Sequence, residues 1–177
     1  MEQTEQEEIL DLVNERDEVI DSKPRSEVYA LGLRNFRVVN LFIRNNKGEI
    51  WIPRRTAHKR LFPLCLDMSV AGHVESGESY EAALIRETHE EAGIVVDVTQ
   101  LKHLGKATPH EHNMSAFSET YELTQNEVPN YNPHDFCEWM WITPSDLLKK
   151  LDAGEPCKSD LPKLVRLFYG QVDTKTE

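Results

Sequence analysis

Residues 72–94 read GHVESGESYEAALIRETHEEAGI, a stretch that sets three carboxylates, Glu87, Glu90 and Glu91, within little more than one helical turn. Like charges three and four residues apart weaken an isolated helix by about 0.2–0.5 kcal/mol per pair. A bound cation would relieve that repulsion. Glu-rich runs are more often solvated helix surface, so the residues around the three carboxylates have to decide between the two readings.

Both ends of the segment are marked. Ser76-Gly77-Glu78-Ser79 combines a turn with a residue suited to N-capping, and acidic groups there suit the helix dipole. Gly93 stands where a left-handed C-terminal residue is wanted, and Ile94 supplies the apolar contact beyond it. The predicted helix runs from about Ser79 to Ala92. Leu84, Ile85, Thr88 and Ala92 form its apolar stripe, and Glu87, Glu90 and Glu91 fill a neighbouring arc about 100° wide. One face enters a core while the next can offer oxygen ligands. Carboxylates without thiolates suit hard ions such as Mg²⁺ or Mn²⁺, which keep waters and usually meet a substrate phosphate. Arg86 points to another face and reads as an orienting salt-bridge partner.

The stretch resembles the signature of the Nudix hydrolases. Gly72, Glu78, Arg86, Glu87, Glu90, Glu91, Gly93 and Ile94 all fall at the spacing of that signature, with Thr88 loose at an apolar position. The resemblance implies that Gly72, Glu87, Glu90 and Glu91 hold Mg²⁺ or Mn²⁺ and that Glu78 and Arg86 brace the loop and helix. It implies attack of an activated water on a diphosphate linked to another group, with Glu90 and Glu91 in catalytic roles.

The 177 residues suit one domain with a sizeable core. A formal net charge of −11 argues against nucleic-acid polymers or anionic membranes as partners. Cys65, Cys137 and Cys157 are odd in number and widely spaced, which suits a reducing compartment. With no bilayer-length apolar run and no signal peptide, the expected location is the cytoplasm. Glu2 to Glu8 reads as a frayed start.

Ile9 to Val13 and Glu18 to Ile20 flank Asn14-Glu15-Arg16-Asp17 as a small hairpin, and a short helix over Ser26 to Leu31 ends at Gly32. Strands are expected over Phe36 to Ile43 and Glu49 to Pro53, joined by Asn45-Asn46-Lys47-Gly48. Leu66 to Ala71 leads into the signature. Further strands are expected over Ile94 to Val98, Ala116 to Leu123 and Glu138 to Ile142. Helices follow from Pro144 to Leu151 and from Leu161 to Tyr169. Interleaved strands and helices make an α/β fold with a mixed sheet, and the resemblance implies an α/β/α sandwich.

The resemblance also implies a Glu well downstream of the signature as a further ligand or general base, for which Glu119 is the first choice and Glu138, beside Trp139, the second. Arg54 and Arg55 carry guanidinium forks suited to phosphate. His110-Glu111-His112 reads as a loop, with too few ligands for structural zinc, and Trp51, Trp139 and Trp141 read as core or pocket-wall aromatics.

The N-terminal hairpin, Ile52-Pro53-Arg54-Arg55 and Gly72-His73 also resemble the isopentenyl diphosphate isomerase branch of the superfamily. Those isomerases need Cys immediately before Gly-His, where this chain has Ala71, which has no proton to give. The leading expectation is therefore a hydrolase of a small-molecule diphosphate, such as a nucleoside diphosphate derivative. The alternatives are isomerisation and a non-catalytic nucleotide-binding module. A homodimer is common on this scaffold. Thr56 to Leu64 and Lys106 to Ser115 are the segments expected to set specificity, and neither names the group attached to the diphosphate.

Overall fold

The computed structural model describes residues 7–170. A two-stranded antiparallel hairpin, β1 (Ile9–Val13) and β2 (Val19–Pro24), is followed by α1 (Arg25–Ala30). The main sheet is built from β3 (Arg37–Arg44), β4 (Ile50–Arg55), β5 (Val70–His73), β6 (Leu101–Ala107), β7 (Phe117–Thr124) and β8 (Phe136–Ile142). The helices of this part are α2 (Tyr80–Ala92), α3 (Pro109–His112), α4 (Pro144–Asp152) and α5 (Leu161–Tyr169). The strand order is β6-β7-β3-β4-β8, with β5 pairing β3. β3 and β7 run parallel and the other pairs antiparallel, so the sheet is mixed as the sequence predicts.

Strand alternation produces the layers. Val39, Leu41 and Ile43 of β3 and Trp51 of β4 face one core with Ala83, Leu84 and Ala92 of α2. Phe42, Ile50 and Ile52 project to the other side against Leu147 and Leu151 of α4 and Leu164 and Val165 of α5. Helices thus cover both faces of one sheet, an α/β/α sandwich. A third, smaller core gathers Leu10, Leu12, Val28, Phe36 and Ala116 and fastens the N-terminal hairpin and α1 to the sheet.

Three expectations need correction. Ile94 to Val98 is not a strand: Val98–Gln100 forms a 3₁₀ turn capped by Asp97, and Val95 is 83% exposed. Its β-branched residues have strand propensity but no partner strand to satisfy their backbone. The strand of this region is β6, at the sheet edge beside β7. The 110–112 segment lies in α3, where Thr108 caps the Glu111 N–H and Pro109 occupies the first turn. Of the expected frayed start, residues 1–6 lie outside the described residues. Glu7 and Glu8 are tied down: the Ser26 N–H donates to Glu7 Oε1 at 2.8 Å, and the Arg25 N–H to the Glu8 carbonyl at 2.9 Å.

Candidate active site

The signature folds into β5, a turn and α2. Ser79 caps α2, its hydroxyl accepting from the Ala82 N–H at 3.1 Å, and Gly93 closes it at φ 66°. Arg86 forks onto Glu78, with Nε–Oε1 at 3.0 Å and Nη2–Oε2 at 2.9 Å, and Nη2 also donates to the His73 carbonyl at 3.0 Å. Its Nη1 reaches Glu87 Oε1 at 2.8 Å. One guanidinium therefore joins the turn, the end of β5 and the helix, with the planar geometry that suits bidentate carboxylate binding.

Gly72 lies directly beneath the Glu87 carboxyl. A Cβ at Gly72 would stand 2.0 Å from Glu87 Cδ, so only glycine lets the helix approach β5 this closely. Burial pushes the Glu87 carboxyl up to about 7 against the opposing pull of Arg86, and the Glu90 charge adds to the rise. Glu91 keeps part of its residue surface exposed, yet protein crowds its carboxyl, and burial raises it well above the usual carboxylate range. Glu87 and Asp67 push it further in the same direction. The Ala71 N–H fixes Glu91 Oε2 at 3.0 Å. Glu90 is exposed, 3.6 Å from Arg86.

Gly72, Glu87, Glu90 and Glu91 line one cavity of about 850 Å³. Among the described residues no three His, Cys, Asp or Glu side chains already converge on a metal position. Arg86 engages Glu87, and Glu90 lies out toward solvent, so these carboxylates would have to close around an ion. Their chemistry fits a hard divalent cation: an all-oxygen donor set in which burial and neighbouring carboxylates destabilise Glu87 and Glu91 as anions.

Arg54 and Arg55 take different partners, on either side of a register shift in the β4–β8 pairing. Arg55 lines the cavity and holds the buried Asp67 at 2.8 Å, while Lys158 lies 3.4 Å from the other Asp67 oxygen. Arg54 does not line the cavity. It is consumed by Glu138 at 2.9 Å and Glu155 at 2.7 Å, which also removes Glu138 from the carboxylate cluster. Nor is Glu119 brought to the cavity. It lies in a separate groove with Tyr80 and Tyr121, 2.5 Å from His103 Nε2 and 3.7 Å from Lys106. None of Trp51, Trp139 and Trp141 lines the cavity, and Trp51 is fully buried in the core.

The cavity also has lining residues that no sequence pattern signals. Glu8 and Tyr29 come from the N-terminal segment, Lys158 and Asp160 from the approach to α5. His73 Nδ1 lies 3.2 Å from Glu8 and its Nε2 2.9 Å from the Tyr29 hydroxyl, while burial pulls the imidazole below its ordinary value. Only His73 had a sequence cue, its place in the Gly-His pair. Both segments expected to set specificity reach the cavity, through Lys59, Leu61, Phe62 and Ser115.

Comparison with known proteins places this geometry in a family. The family model described as NUDIX domain matches residues 34–161. An uncharacterized Nudix hydrolase of Nostoc sp. is 54% identical over 92% of this chain and 96% of its own length. A Nudix hydrolase of Deinococcus radiodurans is 45% identical over 93% of this chain and 95% of its own. A Deinococcus radiodurans crystal structure superposes with a TM-score of 0.86 at 45% identity, covering 92% of this chain and 99% of that one. The MutT protein of Methanosarcina mazei, 20% identical with a TM-score of 0.54 over 75% of this chain and 91% of its own, shares the fold.

Proposed function

The chain belongs to the Nudix hydrolase family, enzymes acting on phosphoanhydride bonds, and on that premise we propose that it cleaves a diphosphate linkage in a small molecule, a nucleoside diphosphate or a derivative, with Mg²⁺ or Mn²⁺ as cofactor. The observation that carries this reading is the convergence of Glu87, Glu90, Glu91 and the Gly72 backbone on one cavity also lined by Arg55 and Lys158. Negative groups for a cation stand on one helix, and positive groups for phosphate stand nearby.

In this reading Glu87, Glu90, Glu91 and the Gly72 carbonyl hold the ion. The ion, when bound, shields phosphate charge and makes a water more acidic. The remaining work belongs to the side chains. Glu91, fixed through one oxygen by the Ala71 N–H, takes the proton of the attacking water. Arg86 holds α2 against the turn through Glu78 and keeps Glu87 over Gly72. Arg55 and Lys158, steered by Asp67, bind the phosphates. Ala71 lines the cavity where an isomerase would need an acid, and its methyl group cannot protonate a double bond.

The test is phosphate release from a panel of nucleoside diphosphate compounds with Mg²⁺, comparing wild type with Glu91→Gln. Release by wild type that falls at least about 100-fold in the variant supports the reading. Nucleotide binding without release by either protein would replace it with a non-catalytic module. Conversion of isopentenyl to dimethylallyl diphosphate would replace it with isomerisation.

A further inference from the structure

The matched family region begins at residue 34, yet part of the cavity wall comes from residues before it. Glu8, Arg25, Tyr29 and Leu33 all line the cavity. We propose that residues 7–33 form the wall that reads the group attached to the diphosphate, with Tyr29 and Arg25 of α1 receiving a planar aromatic base. This deepens the hydrolase reading and rests on it.

The placement is specific. Arg25 and Tyr29 are four residues apart on α1 and so share one face. The Arg25 guanidinium lies 5.8 Å from the Tyr29 ring centroid. Val28, on another face, is fully buried in the core that fastens the segment to the sheet, so the helix does not hang free. Tyr29 is nevertheless 42% exposed. A large aromatic residue left open at a cavity, on a helix anchored through its neighbour, has surface available to a ligand.

The ring is also pre-set. Its hydroxyl contacts His73 Nε2 at 2.9 Å, and the His73 ring stands edge-on to it at 89° and 5.9 Å. Phe36 lies 5.7 Å from the same ring. His73 follows Gly72, so the contact sets α1 in register with the proposed ion-binding backbone. A ring held this way loses little freedom when a ligand stacks on it.

The surrounding charges choose between classes of attached group. Arg25 is loosely paired, 3.6 Å from Glu8, and remains partly exposed. Arg55 and Lys59 line the same cavity. An aliphatic chain would strip water from these cations and offer them no acceptor. A base offers a flat π-face to Tyr29 and ring carbonyls or nitrogens to a guanidinium. Phe62 lines the cavity from the 56–64 loop, 40% exposed and held at φ 51°, a conformation non-glycine residues rarely adopt.

The experiment uses the full chain with Mg²⁺ and titration calorimetry. The ligands are α,β-methylene analogues of nucleoside diphosphates with the four common bases, methylenediphosphonate, which has no base, and a prenyl diphosphonate. Wild type should prefer the base-bearing ligands to both others. Tyr29→Ala should reduce that preference about ten-fold or more, while Tyr29→Phe keeps it. In turnover, Tyr29→Ala should raise KM more than it lowers kcat. Arg25→Ala, altering a partly exposed side chain, gives a second reading of the same wall should Tyr29→Ala fail to fold. The proposal is overturned if wild type shows no preference for a base, if it favours the prenyl ligand, or if folded Tyr29→Ala keeps the wild-type preference. Base preference that depends on Tyr29, without phosphate release from any diphosphate, would sink the hydrolase reading and leave the wall standing. Hydrolysis indifferent to Tyr29 would sink the wall alone.

Discussion

Two acidic clusters flank α2, and they differ in how their charges are met. In the groove beside Tyr80, Glu119 faces His103 and Lys106, and Asp17 takes Arg37, Lys106 and the Tyr80 hydroxyl. Glu119 and Asp17 are both met by partners supplied by the chain. At the cavity, burial raises both Glu87 and Glu91, Glu90 adding to the first and Glu87 and Asp67 to the second, against Arg86 on Glu87 and the Ala71 N–H and Lys158 on Glu91. An internally compensated cluster holds a fold together. A buried cluster left short of cations is the arrangement an added ion would complete.

Removing a cavity carboxylate is the strongest way to break this contrast. Glu91→Gln should lower kcat with Mg²⁺ by a factor on the order of 10²–10⁴. The same change deletes a buried charge, so thermal melting without divalent ion should not fall, and the stabilisation conferred by added Mg²⁺ should shrink. A variant that melts well below wild type in chelator while retaining its turnover would make Glu91 a structural group.

Gly72→Ala tests the same cluster from beneath. The added methyl would lie 2.0 Å from Glu87 Cδ, so either β5 or the carboxyl must move. The expected cost is about 1–3 kcal/mol in denaturant unfolding, with loss of Mg²⁺-dependent turnover. Full stability and full activity together would mean that Glu87 does not need its seat over Gly72.

Asp17 probes the compensated cluster. It occupies a left-handed position at φ 61° in the β1–β2 turn, which Asn tolerates, so Asp17→Asn reports on charge and not on backbone fit. Burial works to raise this carboxyl, but hydrogen bonds from Lys106, Arg37 and Tyr80 outweigh it and hold it below its ordinary 3.8. A depressed folded value means the stabilisation is fully present above 3.8 and is lost as pH falls through that lower value. Asp17→Asn should cost about 1–3 kcal/mol at neutral pH, and the difference from wild type should narrow on acidification below about pH 4. An unchanged gap at low pH would assign the effect to packing.

How much of this was legible follows from where each signal resides. The α2 segment announced itself because its caps, its apolar stripe and its carboxylates are all local. The β3–β4 hairpin did so through Asn45 and Gly48, whose backbone groups close the turn at 3.1 Å. β6 did not: its register shifts between His103 and Gly105, and much of this edge strand is exposed, so no apolar alternation survives. Ile94 to Val98 misled for the opposite reason, having β-branched residues without a partner strand. At the site, Arg54 and Arg55 looked equivalent in the sequence, and only the register shift between them and the carboxylates around them send them to different partners. Tyr29, Asp67 and Lys158 were out of reach, because tertiary packing alone brings three distant segments to the cavity.

Glu119 carries the smallest expected effect and the sharpest test of the contrast. The sequence offered it as the downstream ligand or base, and its place on β7 next to Tyr80 and Tyr121 is in the compensated groove. Its partner His103 is about half exposed, so the pair is screened and contributes about 0–1 kcal/mol. Glu119→Gln should therefore leave kcat within about two-fold of wild type and barely move the melting temperature. A loss approaching that of Glu91→Gln would mean that β7 or the 108–116 segment carries Glu119 to the substrate during turnover. The two clusters would then be parts of one site, and the difference in their charge balance would not separate a structural cluster from a catalytic one.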